Sequence, residues 1–303
     1  MKNKIALVIG YGSIGRLHAN VLKKLNFFDK IYILSSQNIS KFTNIKYLNK
    51  IDKINPDYIV ISSKTNLHYS QLKFINKKFK DIKILVEKPL FHKNLKLPQI
   101  KNKIFLGYDL RFHPILLLIK KLIISKKIWS INIICGSYLP EWRKNINYKN
   151  SYSSNKKYGG GVLLDLSHEI DYLNWIFGII KPKYVFSKKI SNLKISSDDT
   201  LSLIGEIKKI HVNLSLNYYT RKPIRQIIID GKDISITADI IKNEINYKLN
   251  DKSFFYKYNN INREYTYKEM HKTIILNKNV KNACTFKEGK KVLTQIEKIQ
   301  NTK

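Results

Sequence analysis

The sequence predicts an α/β protein of two domains, a doubly wound parallel sheet followed by an α+β domain on a mostly antiparallel sheet. Three observations carry this. The first hundred residues alternate short apolar runs with segments of helical periodicity. From Pro182 to about Tyr258 the pattern changes to strand after strand. The length, 303 residues, is too great for one small domain and suits two of ordinary size.

Residues 5–9, apolar and bounded by Gly10, read as a buried strand. Residues 14–25 set Ile14, Leu17, Val21, Leu22 and Leu25 at helical spacing. Strands follow at 31–34 and, after the punctuation Asn55-Pro56, at 58–61. A helix over 67–79 carries Leu72, Ile75 and Phe79 on one face. A strand at 82–86 ends at Glu87-Lys88-Pro89, and 104–106 closes the series. Such alternation implies a parallel sheet with helices on both faces. The second half opens with a helix over 113–124 and a strand over 129–138. A polar, aromatic loop over 139–158 leads to Gly159-Gly160-Gly161 and a helix over 167–177. Strands are expected at 184–190, 200–206, 211–219, 224–229 and 234–238, with Gly231 and Lys232 turning the last pair. Few helices are left to cover this sheet, so it is mostly antiparallel. Helices over 267–276 and 287–299 end the chain.

Composition excludes several classes. Hydrophobic residues make up 43% of the chain, enough for real cores. The two cysteines, Cys135 and Cys284, give neither a disulfide framework nor metal-ligand spacing, so no metal is expected and the usage suits a reducing cytoplasm. The start, Met1-Lys2-Asn3-Lys4 and a five-residue apolar run, lacks the features of a signal peptide. Lys120 and Lys121 interrupt the most lipid-like stretch, 115–124, well short of the ~20 residues of a membrane span. The formal charge of +34, from 56 Lys+Arg against 22 Asp+Glu, invites a nucleic-acid reading. The excess is mostly lysine spread over almost every segment, alongside abundant Ile, Asn, Tyr and Phe. A drifted base composition explains that pattern without a nucleic-acid or membrane partner, although anionic ligands are attracted.

The run Gly10-Tyr11-Gly12-Ser13-Ile14-Gly15 sits between a strand and an amphipathic helix, the setting in which GxGxxG binds a dinucleotide. Gly10 permits the tight turn, Gly12 lets a pyrophosphate approach, and Gly15 lets helix and strand pack closely. The free N–H groups of the first helical turn, Ser13 and Ile14 included, then face the anion. At the end of the second strand, where NAD sites place an acid, the sequence reads Ser35-Ser36-Gln37-Asn38. Ser35 and Ser36 can bond a 2′-phosphate and Lys41 can neutralise it. The cofactor is therefore NAD or NADP, with a slight lean to NADP.

Three further stretches share an order and spacing with this motif: Ile61-Ser62-Ser63-Lys64-Thr65-Asn66-Leu67-His68, Leu85-Val86-Glu87-Lys88-Pro89-Leu90, and Gly159 to Asp171, which contains Asp165-Leu166-Ser167-His168-Glu169-Ile170-Asp171. With GxGxxGxxH, His18 included, and Gly107 to Pro114, the set resembles the glucose-fructose oxidoreductase / inositol 2-dehydrogenase / MocA (Gfo/Idh/MocA) family over nearly the whole chain. The resemblance implies a Rossmann domain over 1–110 and a substrate and oligomerisation domain over 111–303 whose sheet is open-faced, the terminal helix being free to pack back on the first domain. It implies hydride transfer between a nicotinamide and a sugar or cyclitol carbon. Lys88 takes the place of the family's catalytic lysine, stabilising charge on the reacting oxygen. His168 is the candidate proton acceptor, with Asp165 raising its basicity. The family separates that Asp and His by four residues; here the spacing is three, and at i, i+3 on a helix the two share a face. Thr65 and Asn66, at a strand end, line the cofactor groove with His68, Glu87 and Lys88. His18 packs near the first helix and His68 caps or orients the second.

For the substrate, Tyr138-Leu139-Pro140-Glu141-Trp142-Arg143 and Tyr152 combine rings, hydroxyls and a guanidinium. Rings stack on sugars, and Arg143 can hold a carboxylate or phosphate in a bidentate fashion. Trp142, Arg143, Tyr152, Arg111, Asp165 and His168 form the expected substrate set. The arrangement is similar to family members of surface-polysaccharide or amino-sugar pathways, which suggests a nucleotide sugar, an acidic sugar or an amino sugar. An inositol or cyclitol dehydrogenase, matched by His168-Glu169-Ile170-Asp171, is an alternative. A non-catalytic nucleotide-sensing regulator of the same fold is a rival of another class. The family also implies a homodimer or homotetramer through the C-terminal sheet.

Overall fold

The computed structural model describes residues 4–46, 48–143, 147–276 and 280–302, and all side chains within them except those of Asn49 and Asp52. Residues 1–3 at the start of the chain and 144–146 of the loop over 139–158 lie outside the described residues. The chain divides into two units, Met1–Phe112 with Asn262–Lys290, and His113–Ile261 with Lys291–Lys303.

In the first unit β1 (Ile5–Ile9), α1 (Ser13–Leu25), β2 (Lys30–Leu34), β3 (Thr43–Ile45), β4 (Tyr58–Ile61), α2 (Thr65–Lys78), β5 (Lys83–Val86) and β6 (Lys103–Leu106) follow in order. The sheet order β3-β2-β1-β4-β5-β6 is parallel throughout. The winding direction reverses between β1 and β4, where Ile9 pairs with both Leu34 and Ile61. Ligands of such sheets bind in the crevice beyond these strand ends. Every residue of β4 is buried, as expected of a strand covered on both faces.

The second unit contains α3 (Pro114–Leu122), β7 (Ile128–Gly136), α4 (Val162–Asp165) and α5 (His168–Ile176). Strands β8 (Lys181–Lys188), β9 (Thr200–Ile207), β10 (Ile210–Asn217), β11 (Ile224–Gly231), β12 (Ile234–Asp239), β13 (Glu244–Leu249) and β14 (Lys252–Lys257) follow. Their eight-stranded sheet runs β14-β13-β12-β11-β7-β10-β9-β8, antiparallel except for β7 against β10. One register row crosses the whole sheet: Tyr184, Ile204, Asn213, Asn132, Ile228, Thr237, Asn246 and Phe255. Tyr184, Ile204 and Phe255 in that row are exposed, whereas their chain neighbours Leu203 and Ile227, Ile229 and Ile236 on the adjoining strands point into the core. The sheet thus has one wet face and one buried face.

The chain then returns to the first unit. Helix α6 (Arg263–Leu276) packs Tyr267, Met270 and Ile274 into the core of Ala6, Val8, Leu22 and Tyr58. Strand β15 (Cys284–Thr285) adds antiparallel to β6, and α7 (Phe286–Asn301) begins in this unit and is counted with the second from Lys291. The expected continuous second domain, 111–303, is therefore interrupted. It is the penultimate helix, α6, whose apolar residues complete the first core. Among the described residues no helix is long and apolar enough to cross a membrane.

Candidate functional site

The candidate residues form two groups, one in each unit. In the first, β1 ends at Gly10, whose N–H donates to Leu34 O at 2.9 Å and whose φ is +93°. A side chain there would meet the Ser63 backbone at 2.7 Å, and one at Gly15 would strike Gly10 O at 2.1 Å. These two glycines are sterically required by the turn itself. Gly12 is different. It is the N-cap of α1, makes no side-chain cap, and has open space where a Cβ would project. The first-turn amides of Ser13, Ile14 and Gly15 lie beyond the reach of intrahelical acceptors, and the turn carries no acid. An anion in that open space gains these donors and the helix dipole. The residues present therefore fit a dinucleotide pyrophosphate.

Beyond β2 no carboxylate occurs from Ser35 to Lys46. The Ser35 hydroxyl accepts from Gln37 N at 3.1 Å, and Ser36 is exposed. Arg16 donates to Gln37 Oε1 at 3.1 Å, with its guanidinium 5.3 Å from the Tyr11 ring centre. Sequence reasoning missed Arg16; its signal was a cation directly after the third glycine, which also lies within a turn of Ser13.

Thr65 and Asn66, expected at a strand end, open α2 instead, because β4 stops at Ile61 and Ser62 to Lys64 make the turn. Lys88 follows β5 and is half-buried, and the Lys88-Pro89 peptide is cis. Three residues expected to contact ligands are buried and held by protein partners. His68 is buried, with Nδ1 3.2 Å from Pro89 O and Leu90 O and Nε2 3.1 Å from Ser63 O, so its ring holds the backbone around Lys88. Glu87 is buried, with Oε1 3.0 Å from His18 Nε2 and 3.1 Å from the Tyr267 hydroxyl. Burial alone would push its carboxyl up. The His18 hydrogen bond and charge, with Lys88 and Arg263, bring it below the ordinary value. Arg111, read as a substrate residue, is 1% exposed and pairs with Glu288 at 2.8 Å inside the first unit. Its charge is satisfied there because a buried guanidinium needs a carboxylate.

In the second unit the substrate candidates gather around Asp165. Its Oδ2 accepts from the Tyr218 hydroxyl at 2.6 Å, and the Tyr152 phenol lies close enough to feel the carboxylate's charge. Burial first, then Asp165, pushes both phenols above their ordinary value, so both stay donors. Trp142 meets Tyr218 edge-on at 5.2 Å and anchors its Nε1 on Ser137 Oγ at 2.8 Å. The Arg143 guanidinium lies 5.4 Å from the Tyr152 ring centre, and Arg221 lies 3.7 Å from that of Tyr138. Tyr218 and Arg221 were missed, being at a strand end and a turn with no motif around them. The one-helix relation of Asp165 and His168 is corrected. Leu166 (φ −96°, ψ 32°) breaks the helix, so Asp165 ends α4 and the buried His168 starts α5.

Next to His168, Glu169 is fully buried and pairs with Arg225 Nε at 2.8 Å. Burial, aided by Glu169, pushes the neighbouring Cys135 thiol up to about 12, which leaves it an unreactive thiol. Among the described residues no three His, Cys, Asp or Glu are placed to hold a metal ion.

A parallel sheet with a glycine turn at its switch point, joined to an open antiparallel sheet, defines a dinucleotide-dependent oxidoreductase. Residues 4–101 match the oxidoreductase family's NAD-binding Rossmann domain, and residues 116–237 match the GFO/IDH/MocA C-terminal domain. The chain belongs to the Gfo/Idh/MocA family. No curated protein matches its sequence. Three solved structures share its fold at 15% identity. UDP-N-acetylglucosamine 3-dehydrogenase GnnA from Acidithiobacillus ferrooxidans has a TM-score of 0.78 over 99% of this chain and 97% of that one. The WlbA dehydrogenase from Bordetella pertussis, in complex with NADH and UDP-GlcNAcA, has 0.79 over 98% and 95%. Levoglucosan dehydrogenase in complex with NADH has 0.81 over 99% and 97%.

Proposed function

We propose that this oxidoreductase is a NAD(P)-dependent dehydrogenase acting on a CH–OH carbon of a sugar or sugar derivative, most simply a nucleotide sugar or an acidic or amino sugar. The observation that carries this reading is the ring of Trp142, Arg143, Tyr152 and Tyr218 around Asp165, since aromatic faces, hydroxyls and a guanidinium match a sugar bearing an anionic group. Two of the similar structures support a sugar-type substrate: one dehydrogenase is in complex with UDP-GlcNAcA, an anionic nucleotide sugar, and another is named for levoglucosan, a neutral anhydrosugar.

Gly10, Gly12, Ser13, Ile14 and Gly15 hold the pyrophosphate of the dinucleotide, and Ser35 and Ser36 face its adenosine ribose. The lean to NADP rests on the missing acid and on Arg16, a cation beside Gln37. A bound nicotinamide accepts or supplies the hydride. The Lys88 ammonium donates a hydrogen bond to the reacting oxygen and stabilises its developing negative charge. His168 takes the hydroxyl proton when the alcohol is oxidised and returns it when the carbonyl is reduced. Asp165, held by the Tyr218 hydroxyl, orients that exchange. We further assign a homodimer or homotetramer built through the exposed row of the second sheet.

The test is a fluorescence titration of the protein with NADH and NADPH at moderate salt, followed by turnover with UDP-sugars, free sugars and inositol. Saturable binding and turnover of a sugar derivative are expected. Turnover of inositol alone would favour the cyclitol reading, which rests on His168-Glu169-Ile170-Asp171. That motif's Glu169 and Asp171 are buried, as are Asp165 and His168. Cofactor binding with no turnover of any substrate would favour the regulator.

A further inference from the structure

The first unit buries a hydrogen-bonded chain of titratable side chains, part of it on core residues such as Tyr58. The Tyr58 hydroxyl is 3.0 Å from His271 Nδ1, His271 Nε2 is 2.8 Å from His18 Nδ1, and His18 Nε2 is 3.0 Å from Glu87 Oε1. Tyr267 donates its hydroxyl to the same Oε1 at 3.1 Å, and the Lys88 backbone N–H donates to Oε2 at 3.2 Å. Tyr58, His18 and His271 are at most 1% exposed. They come from β4, α1 and α6, elements distant in sequence, so three separate parts of the chain meet at one carboxylate.

The geometry allows only ordered proton arrangements. With both imidazoles neutral, Tyr58 donates to His271, His271 to His18, and His18 to Glu87. With one proton added to His18, its Nδ1–H donates to His271 Nε2 and His271 Nδ1–H donates to the Tyr58 oxygen, so both of those links reverse. In both, His18 Nε2–H donates to Glu87 Oε1, so the carboxylate is always held as an acceptor. Burial, then the facing His18, lowers His271 well below the ordinary imidazole value, which keeps it the neutral link. The groups facing Glu87 are His18 from α1, His68 from α2, Tyr58 from β4, Tyr267 and Arg263 from α6, and the adjoining Lys88; Asp109 faces Tyr267 and Arg263 in turn.

We propose that His18, His271 and Tyr58 are positioning residues that orient Glu87 as the fixed counter-charge of Lys88. The inference rests on Lys88 being the residue at the reacting oxygen. The relay acts through Glu87 and reaches no substrate atom. It gives α6, a helix from the far end of the sequence, a direct part in setting the protonation of a lysine that follows β5.

The test reads Lys88 without turnover. The full chain is treated with acetic anhydride from pH 6 to 10, and the acetylation rate of Lys88 is followed by peptide mass spectrometry, with Lys64 as internal control. Glu87→Gln removes the counter-charge and moves the Lys88 profile down by about one pH unit, a roughly tenfold faster acetylation at fixed pH. His271→Leu breaks the relay and gives about threefold, Tyr58→Phe less, and His271→Gln, whose amide can both accept and donate, restores part of the loss. Lys64 and the NADH dissociation constant of the His271 and Tyr58 variants stay within about twofold, which a general folding defect would not allow. An unmoved Lys88 profile in Glu87→Gln overturns the coupling. A shift in Glu87→Gln with none in His271→Leu and Tyr58→Phe overturns the relay. If His271→Leu does not fold, His271→Gln and Tyr58→Phe carry the test. Failure of the hydride-transfer reading is seen separately, as retained turnover in Lys88→Met.

Discussion

Strand β4 of the first unit reads Tyr-Ile-Val-Ile and buries every residue, whereas β8 of the second alternates and leaves Tyr184 and Phe186 in water. The strands of the covered parallel sheet are mostly apolar, Tyr58 of β4 excepted, and its candidate site residues, Gly10 and Lys88, stand at strand ends. An open sheet has a buried face that helices and loops cover, and there the candidate site residues, Asp165 and His168, stand in the covering layer. The units also neutralise buried acid differently. Glu87 is held by hydrogen-bond donors and histidine, while Glu169 faces a full guanidinium.

The sharpest way to break this comparison is Lys88→Met. Turnover should fall by at least 10²–10³-fold, the order expected on removing a donor to a developing oxyanion, with the NADH titration little changed. Next in size is Arg225→Met, which strands the Glu169 carboxylate in the second unit and should cost about 3–5 kcal/mol in urea unfolding. Adding Glu169→Leu should recover much of that loss, because a buried pair stabilises little beyond an apolar replacement. Glu87→Gln in the first unit should cost less than Arg225→Met, since its neutral donors can still bond an amide.

The pH response follows. His113 caps α3, accepting from Ile115 N and bonding Asn243, and burial lowers it to about 4. His271 is also lowered by burial, then by His18. Both are neutral when folded and take a proton near pH 6.5 when unfolded. The stability they contribute is complete above pH 6.5 and is lost as pH falls toward 4, on the order of 3 kcal/mol for His113. Glu87 and Glu288, lowered below the ordinary carboxylate value, extend the loss further into acid. Thermal midpoints at pH 7.5, 5.5 and 4.5 should therefore decline, less steeply in His113→Gln. The smallest effect on stability belongs to the wet face: Tyr184→Ser with Phe186→Ser should change unfolding by within about 0.5 kcal/mol. The molar mass by light scattering should drop in that variant, which ties the exposed row to assembly.

Much of the architecture was legible. The strands of the first sheet were read to within a residue or so, because continuous apolar runs bounded by glycine and Asn55-Pro56 leave little choice. The two-residue β15 and three-residue β3 were not individually readable, since a strand that short has no period. β13 and β14 were included only as part of a general run, because Lys, Asn and Tyr blur alternation in this composition. Of the candidate site, the positions of the glycine turn and of Lys88 just after a strand were legible because their motifs are local. Arg111 and His68, expected as ligand contacts, are buried with protein partners. A lone cation or imidazole in sequence carries no sign of whether a buried carboxylate or carbonyl awaits it.

The sequence by itself determined which segments become strands and helices, the turn at Gly10 to Gly15, and the placing of Lys88 beyond a parallel strand. These follow from local sterics and from hydrophobic period, both properties of neighbouring residues. Only the tertiary structure decided that His18 meets Glu87 and His271, that Tyr218 and Tyr152 converge on Asp165, and that α6 completes the first core. Those contacts join residues up to 253 positions apart. They are selected by where a buried polar group finds a partner after the chain has collapsed, information that no window of sequence contains.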